Sequence, residues 1–244
     1  MNKKELLKKL DRSISSFLFG TTVGIYCVGR GLLSKQFRKM ARENKLEYKK
    51  GYTSISLESY KKKLEQIYSK HIENEEYIRH SFSKSPKFCH TVKPVNNNLE
   101  ISNLDELVQC ISKSIVNDAS NQLDLELKWL ESNLYTNANT NDQKKLSADW
   151  HLDRRPINWY RIFVLLHETN LSHGPLHYIN KDETKKLIKK GFRRGDIYED
   201  KSKIGCMEGN ISDNVFINAE LCLHKAGIPE KGKKRTILEI VVST

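Results

Sequence analysis

Apolar positions in this chain recur with two periods, and the change between them falls near residue 150. Before it, the spacing is helical. Leu6, Leu7 and Leu10 sit among the lysines of residues 1–13, predicting a short basic amphipathic helix. Residues 34–50 predict a second basic helix, and residues 57–79 a charged one with Leu57, Tyr60, Leu64 and Ile67 along one face. Residues 105–116 predict an amphipathic helix capped by Asn103, with Asp105 and Glu106 in its first turn, where unpaired N–H groups favour negative charge. A further helix is expected over 120–134, carrying Leu123, Leu125, Leu127, Trp129, Leu130 and Leu134. These wide apolar stripes suit helices that cover a sheet. Pro86, Pro94 and the triplet Asn96 to Asn98 mark 82–98 as loop with one short strand around 88–92, and the Asn/Thr-rich stretch 136–142 as another loop.

Beyond residue 150 the pattern becomes that of strands. Trp159 to Leu166 is a buried strand candidate, and Leu171 to Pro175 turns the chain into Leu176 to Ile179. A short basic helix over 181–190 and a polar insert over 191–213 precede the strand Asn214 to Ile217. The run Thr236 to Val242 ends the series. Short strands after helices predict an α+β protein with one core. At 244 residues that core needs no disulfide or structural metal. The expected division is a mostly helical N-terminal extension, 1–85, and a core with covering helices, 86–244. The moderately apolar run 17–29 is too short and polar to span a bilayer. It is expected to pack on the core, the alternative being a peripheral membrane contact through the basic N-terminus.

Composition narrows the class. A hydrophobic fraction of 38% with 30% charged residues describes a globular chain rather than a disordered one. The net charge of +12 favours anionic partners: a phosphorylated small molecule, nucleic acid or a membrane surface. Nucleic-acid binding would call for aromatics interleaved with the basic residues, and that pairing is missing, so no nucleic-acid partner is expected. Five cysteines, an odd number without CxxC spacing, suggest reduced thiols and a cytoplasmic protein. Oligomeric state is not legible.

The chemistry-bearing residues lie in the strand-rich half. In extended chain, residues two apart share a face, so His151 and Asp153 would aim a ring nitrogen and a carboxylate oxygen at one point. His224 would complete a two-histidine, one-carboxylate set, a facial arrangement suited to non-haem Fe(II) used with oxygen. The bland alternative is three unrelated polar residues. Arg235, opening the last apolar run, could hold a carboxylate bidentately. Arg154, Arg155 and Arg161 read either as surface or sheet-edge charges or as a grip on an anionic substrate group, with Arg155 the choice. His167 and His177 read as core residues or substrate contacts, and the insert with Arg193 and Arg194 as a substrate lid.

The stretches Ser147 to Asp153, Phe163 to Thr169, His173 to Ile179 and His224 to Arg235 resemble the phytanoyl-CoA dioxygenase superfamily of Fe(II)/2-oxoglutarate oxygenases, over roughly residues 147–244. The resemblance implies a double-stranded β-helix (a cupin-like jelly roll) under a helical layer. It implies Fe(II) held by His151, Asp153 and His224, and 2-oxoglutarate held by Arg235. It also implies O2 as oxidant, ascorbate as an accessory reductant, and hydroxylation of a C–H bond in a small substrate, anionic or linked to lipid or glycan. One departure concerns residue 237. Related oxygenases often carry Ser or Thr two residues after the arginine, where this chain has Ile237, so the co-substrate hydrogen bond is expected from Thr236 or Thr169. The competing reading is a non-catalytic basic binding protein on the same fold.

Overall fold

The computed structural model describes residues 51–73, 93–94, 103–138, 148–153, 155–194 and 196–244. The expected elements over 1–50 and the strand around 88–92, with the boundary at residue 85 and Arg154, lie outside them.

The elements run β1 (Tyr52–Thr53), α1 (Lys61–Glu73), β2 (Lys93–Pro94), α2 (Asn103–Leu123), β3 (Lys128–Ala138), β4 (Trp159–Leu165), β5 (Leu176–Ile179), α3 (Lys181–Lys189), β6 (Ile204–Cys206), β7 (Asn214–Ile217), β8 (His224–Ala226) and β9 (Lys234–Ser243). Two antiparallel sheets result, one of six strands in the order β1-β7-β4-β9-β3-β2 and one of three in the order β6-β5-β8. Mixed helix and antiparallel sheet is thus the architecture of the described residues.

The large sheet has two differently used faces. Tyr160, Ile162 and Val164 of β4, Phe216 of β7 and Leu238, Ile240 and Val242 of β9 pack beneath the helices, with Leu64 and Ile67 of α1 and Val108, Ile111 and Ile115 of α2. The apolar stripe expected over 105–116 therefore covers a sheet, as its width predicted. Residues 51–73 share this core through Ile55, Leu57 and Tyr60. The alternate residues, Phe163, Leu165, Val215, Ile217 and Ile237, point the other way and pack with Leu176 of the small sheet. Side chains alternate between faces along a strand, so β4 and β9 bury both faces and read as continuous apolar runs.

The helix expected over 120–134 does not form. α2 runs to Leu123, Asp124 takes a positive φ of 51°, and the chain leaves as β3. Leu125 and Leu127, two apart, are both buried in the helix-covered core, which is strand periodicity rather than helical. Ten residues of β3 pair with β9 across 128–138, so pairing on the central strand overrides local helix propensity. β3 also takes in Thr136 to Ala138, the start of the expected loop.

Candidate metal centre

His151 and His224 are locked to each other through the backbone: each donates its N–H to the other's carbonyl at 3.0 Å. Asp153 N–H donates to Ala219 O at 3.1 Å and Arg155 N–H to Glu220 Oε2 at 3.1 Å. The His-Leu-Asp segment is therefore an extended stretch bridged to residues 219–224, rather than a strand of its own. Trp150 and Leu223, beside the two histidines, are buried together with Ile179 and hold this joint from behind.

That joint aims three side chains inward. His151 Nδ1 lies 2.7 Å from Asp149 O, and His224 Nδ1 lies 3.0 Å from Cys222 O. A carbonyl can only accept, so each Nδ1 carries a proton, which leaves Nε2 as the ring nitrogen that can ligate a metal. Both Nε2 atoms stand 3.7 Å from Asp153 Oδ1. Donors bound at ~2.1 Å to one ion, at roughly right-angle to tetrahedral angles, lie ~3.0–3.4 Å apart, so the set closes on an ion with a small shift. Burial pushes His224 down to about 4, keeping it neutral. Burial alone would raise the Asp153 carboxyl, but His224, Arg161 and His151 together outweigh it and hold the group below its ordinary value.

The other oxygen of Asp153 is occupied. Arg161 donates to Asp153 Oδ2 from Nε at 2.6 Å and lies within 2.5 Å of it through Nη2. Arg161 Nη1 donates to Glu239 Oε1 at 2.5 Å, and Asn133 Nδ2 donates to Glu239 Oε2 at 3.2 Å. Arg161, Glu239 and Asn133 are all buried on the inner face of β4, β9 and β3. Arg161 was read from sequence as a surface charge or an anion grip; it instead fixes the rotation of a candidate metal ligand. Glu239 and Asn133 were not singled out at all. The available signal was phase: Glu239 lies four residues after Arg235 in a buried strand and so shares its face.

A cavity of about 280 Å³ opens here, lined by His151, Asp153, His224, Arg155, Arg161, Glu131, Asn137, Arg235, Ile237 and Glu239, among others. Arg235 is 1% exposed, and its Nη1 donates to the Gly174 carbonyl. Gly174 has φ +63, and a Cβ there would lie 2.5 Å from backbone atoms of Ile228 and Pro229. Only glycine lets that carbonyl approach. Burial lowers the Arg235 guanidinium to about 10, so it remains a cation at neutral pH. Its Nε is sealed from solvent with no hydrogen-bond partner among the described residues. A buried, under-bonded guanidinium in a cavity with two imidazoles and a carboxylate fits an anionic carboxylate and a divalent cation.

Three candidates lie outside the cavity lining. His167 Nε2 accepts from Thr236 N–H at 2.9 Å and its Nδ1 donates to Glu168 O at 2.6 Å, which ties the end of β4 to the start of β9. Thr169 Oγ1 donates to His167 O at 3.2 Å. His177, opposite Cys206 and Lys225 in the small sheet, is lowered by burial and by the nearby charges of Lys225 and Arg235. The insert also stays away: its Phe192 and Tyr198 pack around Trp150, Ile179 and Leu223, and no described residue of 191–213 lines the cavity. Arg155 does line it, with its guanidinium carbon 5.7 Å from the Trp159 ring centroid.

No protein-family profile and no curated protein sequence matches the chain. Solved structures do. The non-heme alpha ketoglutarate dependent epimerase SnoN from nogalamycin biosynthesis superposes with a TM-score of 0.51 at 12% identity, covering 84% of this chain and 82% of that one. The carbocyclase SnoK of the same biosynthesis gives 0.50 at 14% identity over 86% and 84%, and the non-heme monooxygenase ThoJ gives 0.50 at 13% over 84% and 77%. At these identities the likeness is one of fold. The chain shares its architecture with non-haem iron, 2-oxoglutarate-dependent enzymes. Among the described residues no helix is long and apolar enough to cross a membrane.

Proposed function

We propose that this protein is an Fe(II)/2-oxoglutarate-dependent oxygenase on a double-stranded β-helix, with a small-molecule substrate. The observation that supports this most is the convergence, in one cavity, of His151 Nε2, Asp153 Oδ1 and His224 Nε2 with the buried Arg235 cation. The SnoN structure is described as a complex with Fe3+ and alpha ketoglutarate, which agrees with the reading.

In this reading His151, Asp153 and His224 hold Fe(II), and Arg235 pairs with the distal carboxylate of 2-oxoglutarate. Bound together, iron and keto acid would supply oxidation of a C–H bond by O2, with succinate and carbon dioxide as co-products. The chain's own part is positional. Asp149 O and Cys222 O set the tautomers of the two imidazoles. Arg161 holds Asp153 Oδ2, so that Oδ1 alone is presented to the cavity. Phe163, Leu176 and Ile237 give the cavity apolar walls beside the charged groups. Arg155, exposed at the lining, is the residue for an anionic group on the substrate.

Anaerobic titration with Fe(II) and then 2-oxoglutarate, read as the visible metal-to-ligand charge-transfer band, tests this. The band is expected in the wild type, weakened by Arg235→Ala and absent in Asp153→Ala. A folded wild-type protein with excess iron and no band overturns the reading.

A further inference from the structure

We propose that Glu131 recognises a cationic nitrogen on the substrate and, with Arg155, selects a small zwitterion: a molecule carrying an ammonium or guanidinium as well as an anionic group. This rests on the oxygenase reading above and narrows its substrate class.

The inference starts from a break in β3. Trp129 lies opposite Val242 of β9, and both pack on the helix-covered side of the sheet. Strict alternation would then set Leu130 opposite Val241, facing the cavity, and Glu131 opposite Ile240, in the apolar core beneath the helices. The register instead steps from Trp129–Val242 to Glu131–Val241, a β-bulge that spends two residues of β3 on one step of β9. The Trp129 indole N–H donates to Ser132 Oγ at 2.9 Å across it. Beyond the bulge the phase is reversed. Leu134 and Thr136 turn to the helices, where Thr136 Oγ1 pairs with Thr236 Oγ1 at 3.0 Å, so Thr236 is turned from the cavity as well. Glu131 turns to the opposite face and lines the cavity. The bulge exchanges a leucine for a carboxylate in the cavity wall.

That carboxylate stands beyond the metal-binding set as viewed from Arg235. Arg161, which holds Asp153, and Glu131 flank Val241 from its two sides, ~10 Å apart across the sheet. Val241 itself lies ~20 Å along β9 from Arg235. A keto acid held between Arg235 and the metal therefore leaves the Glu131 end of the cavity to the substrate. The charges of the wall divide in the same way. Asp153 and Glu239 are both held by Arg161. Glu131 is half-buried, and its carboxylate makes no hydrogen bond or ion pair among the described residues. Arg155 lines the same cavity without an ion pair among them, its guanidinium beside Trp159. A carboxylate drawn partly out of water offers only acceptors, so the group that completes it is a donor with positive charge. An anionic or apolar group at that end would leave it unmet.

The test uses the protein loaded with Fe(II) and 2-oxoglutarate without oxygen, and reads binding as a shift of the charge-transfer band. The probes are linear ω-amino acids of increasing length, each paired with the carboxylate of equal length that lacks the amine. At least one ω-amino acid is expected to bind the wild type about tenfold or more tighter than its partner, the scale of one hydrogen bond between charged groups. Glu131→Gln keeps the shape and removes the charge. It is expected to erase that preference, while the plain carboxylates do not lose affinity and the band still forms, which also shows the variant to be folded. No preference for the amine at any length in the wild type, or a preference that survives Glu131→Gln, overturns the role of Glu131 while the band leaves the oxygenase reading intact. A folded wild-type protein with no band overturns both.

Discussion

Arg161→Met is the most informative perturbation of the candidate metal centre, because it removes the support of a candidate ligand without replacing one. Arg161 is 8% exposed and bridges Asp153 and Glu239, itself 3% exposed, with contacts of 2.5–2.6 Å. Methionine keeps most of the stem volume and removes the charge. Two carboxylates then face each other's field in a buried site, and breaking such a pair from one side costs about 3–5 kcal/mol. Stability measured by urea unfolding should therefore fall by about 3 kcal/mol at neutral pH. Asp153 meanwhile loses the contacts that fix its rotation. Loss of such a support weakens metal binding by about 10–100-fold, measurable by anaerobic calorimetry with Fe(II). Adding Glu239→Gln should recover part of the stability, because the stranded charge is gone, and little of the metal affinity. If Arg161→Met costs less than about 1 kcal/mol and binds Fe(II) within about twofold of wild type, Arg161 does not hold Asp153 and the account of the ligand set fails.

Two further outcomes follow from other parts of the fold. His71, buried on α1 and bonded to Thr136 Oγ1 at 2.8 Å, is lowered by burial from 6.5 to about 4. Below pH 6.5 the unfolded chain takes up this proton and the folded one does not, so about 3 kcal/mol of stability, fully present above pH 6.5, is lost as pH falls towards 4. Urea midpoints across that range should show the slope, and His71→Gln should flatten it; parallel curves would refute the assignment. Gly174→Ala places a Cβ at φ +63 against the backbone of 227–229 and should cost about 2 kcal/mol or more. It should also weaken 2-oxoglutarate binding through Arg235, whose Nη1 bonds the Gly174 carbonyl. A melt and a titration both matching wild type would remove Gly174 from the site.

The chemistry was legible where it is local. His151 and Asp153 two apart, a distant His224 and an arginine opening an apolar strand name a donor set without coordinates, because residue type alone decides what a side chain can ligate. The helices over 61–73 and 103–123 and the strands at 159–165, 176–179 and 214–217 were readable for a similar reason, since their periodicity is written in consecutive residues. The segment 120–134 misled because its leucines serve either period, and only the partner strand β9 decides between them.

Tertiary structure alone decided which charges are buried together. Arg161 and Glu239 are 78 residues apart, and Asn137 and Arg235 are separated by most of the strand-rich half of the chain. No local pattern joins them; the register of β4, β9 and β3 does. Their effect is also non-local, because the energy of a buried charge depends on what surrounds it rather than on its neighbours in sequence. The sequence by itself therefore determined which side chains could ligate a metal and an acid. The sheet register determined which of them are aimed, braced and buried.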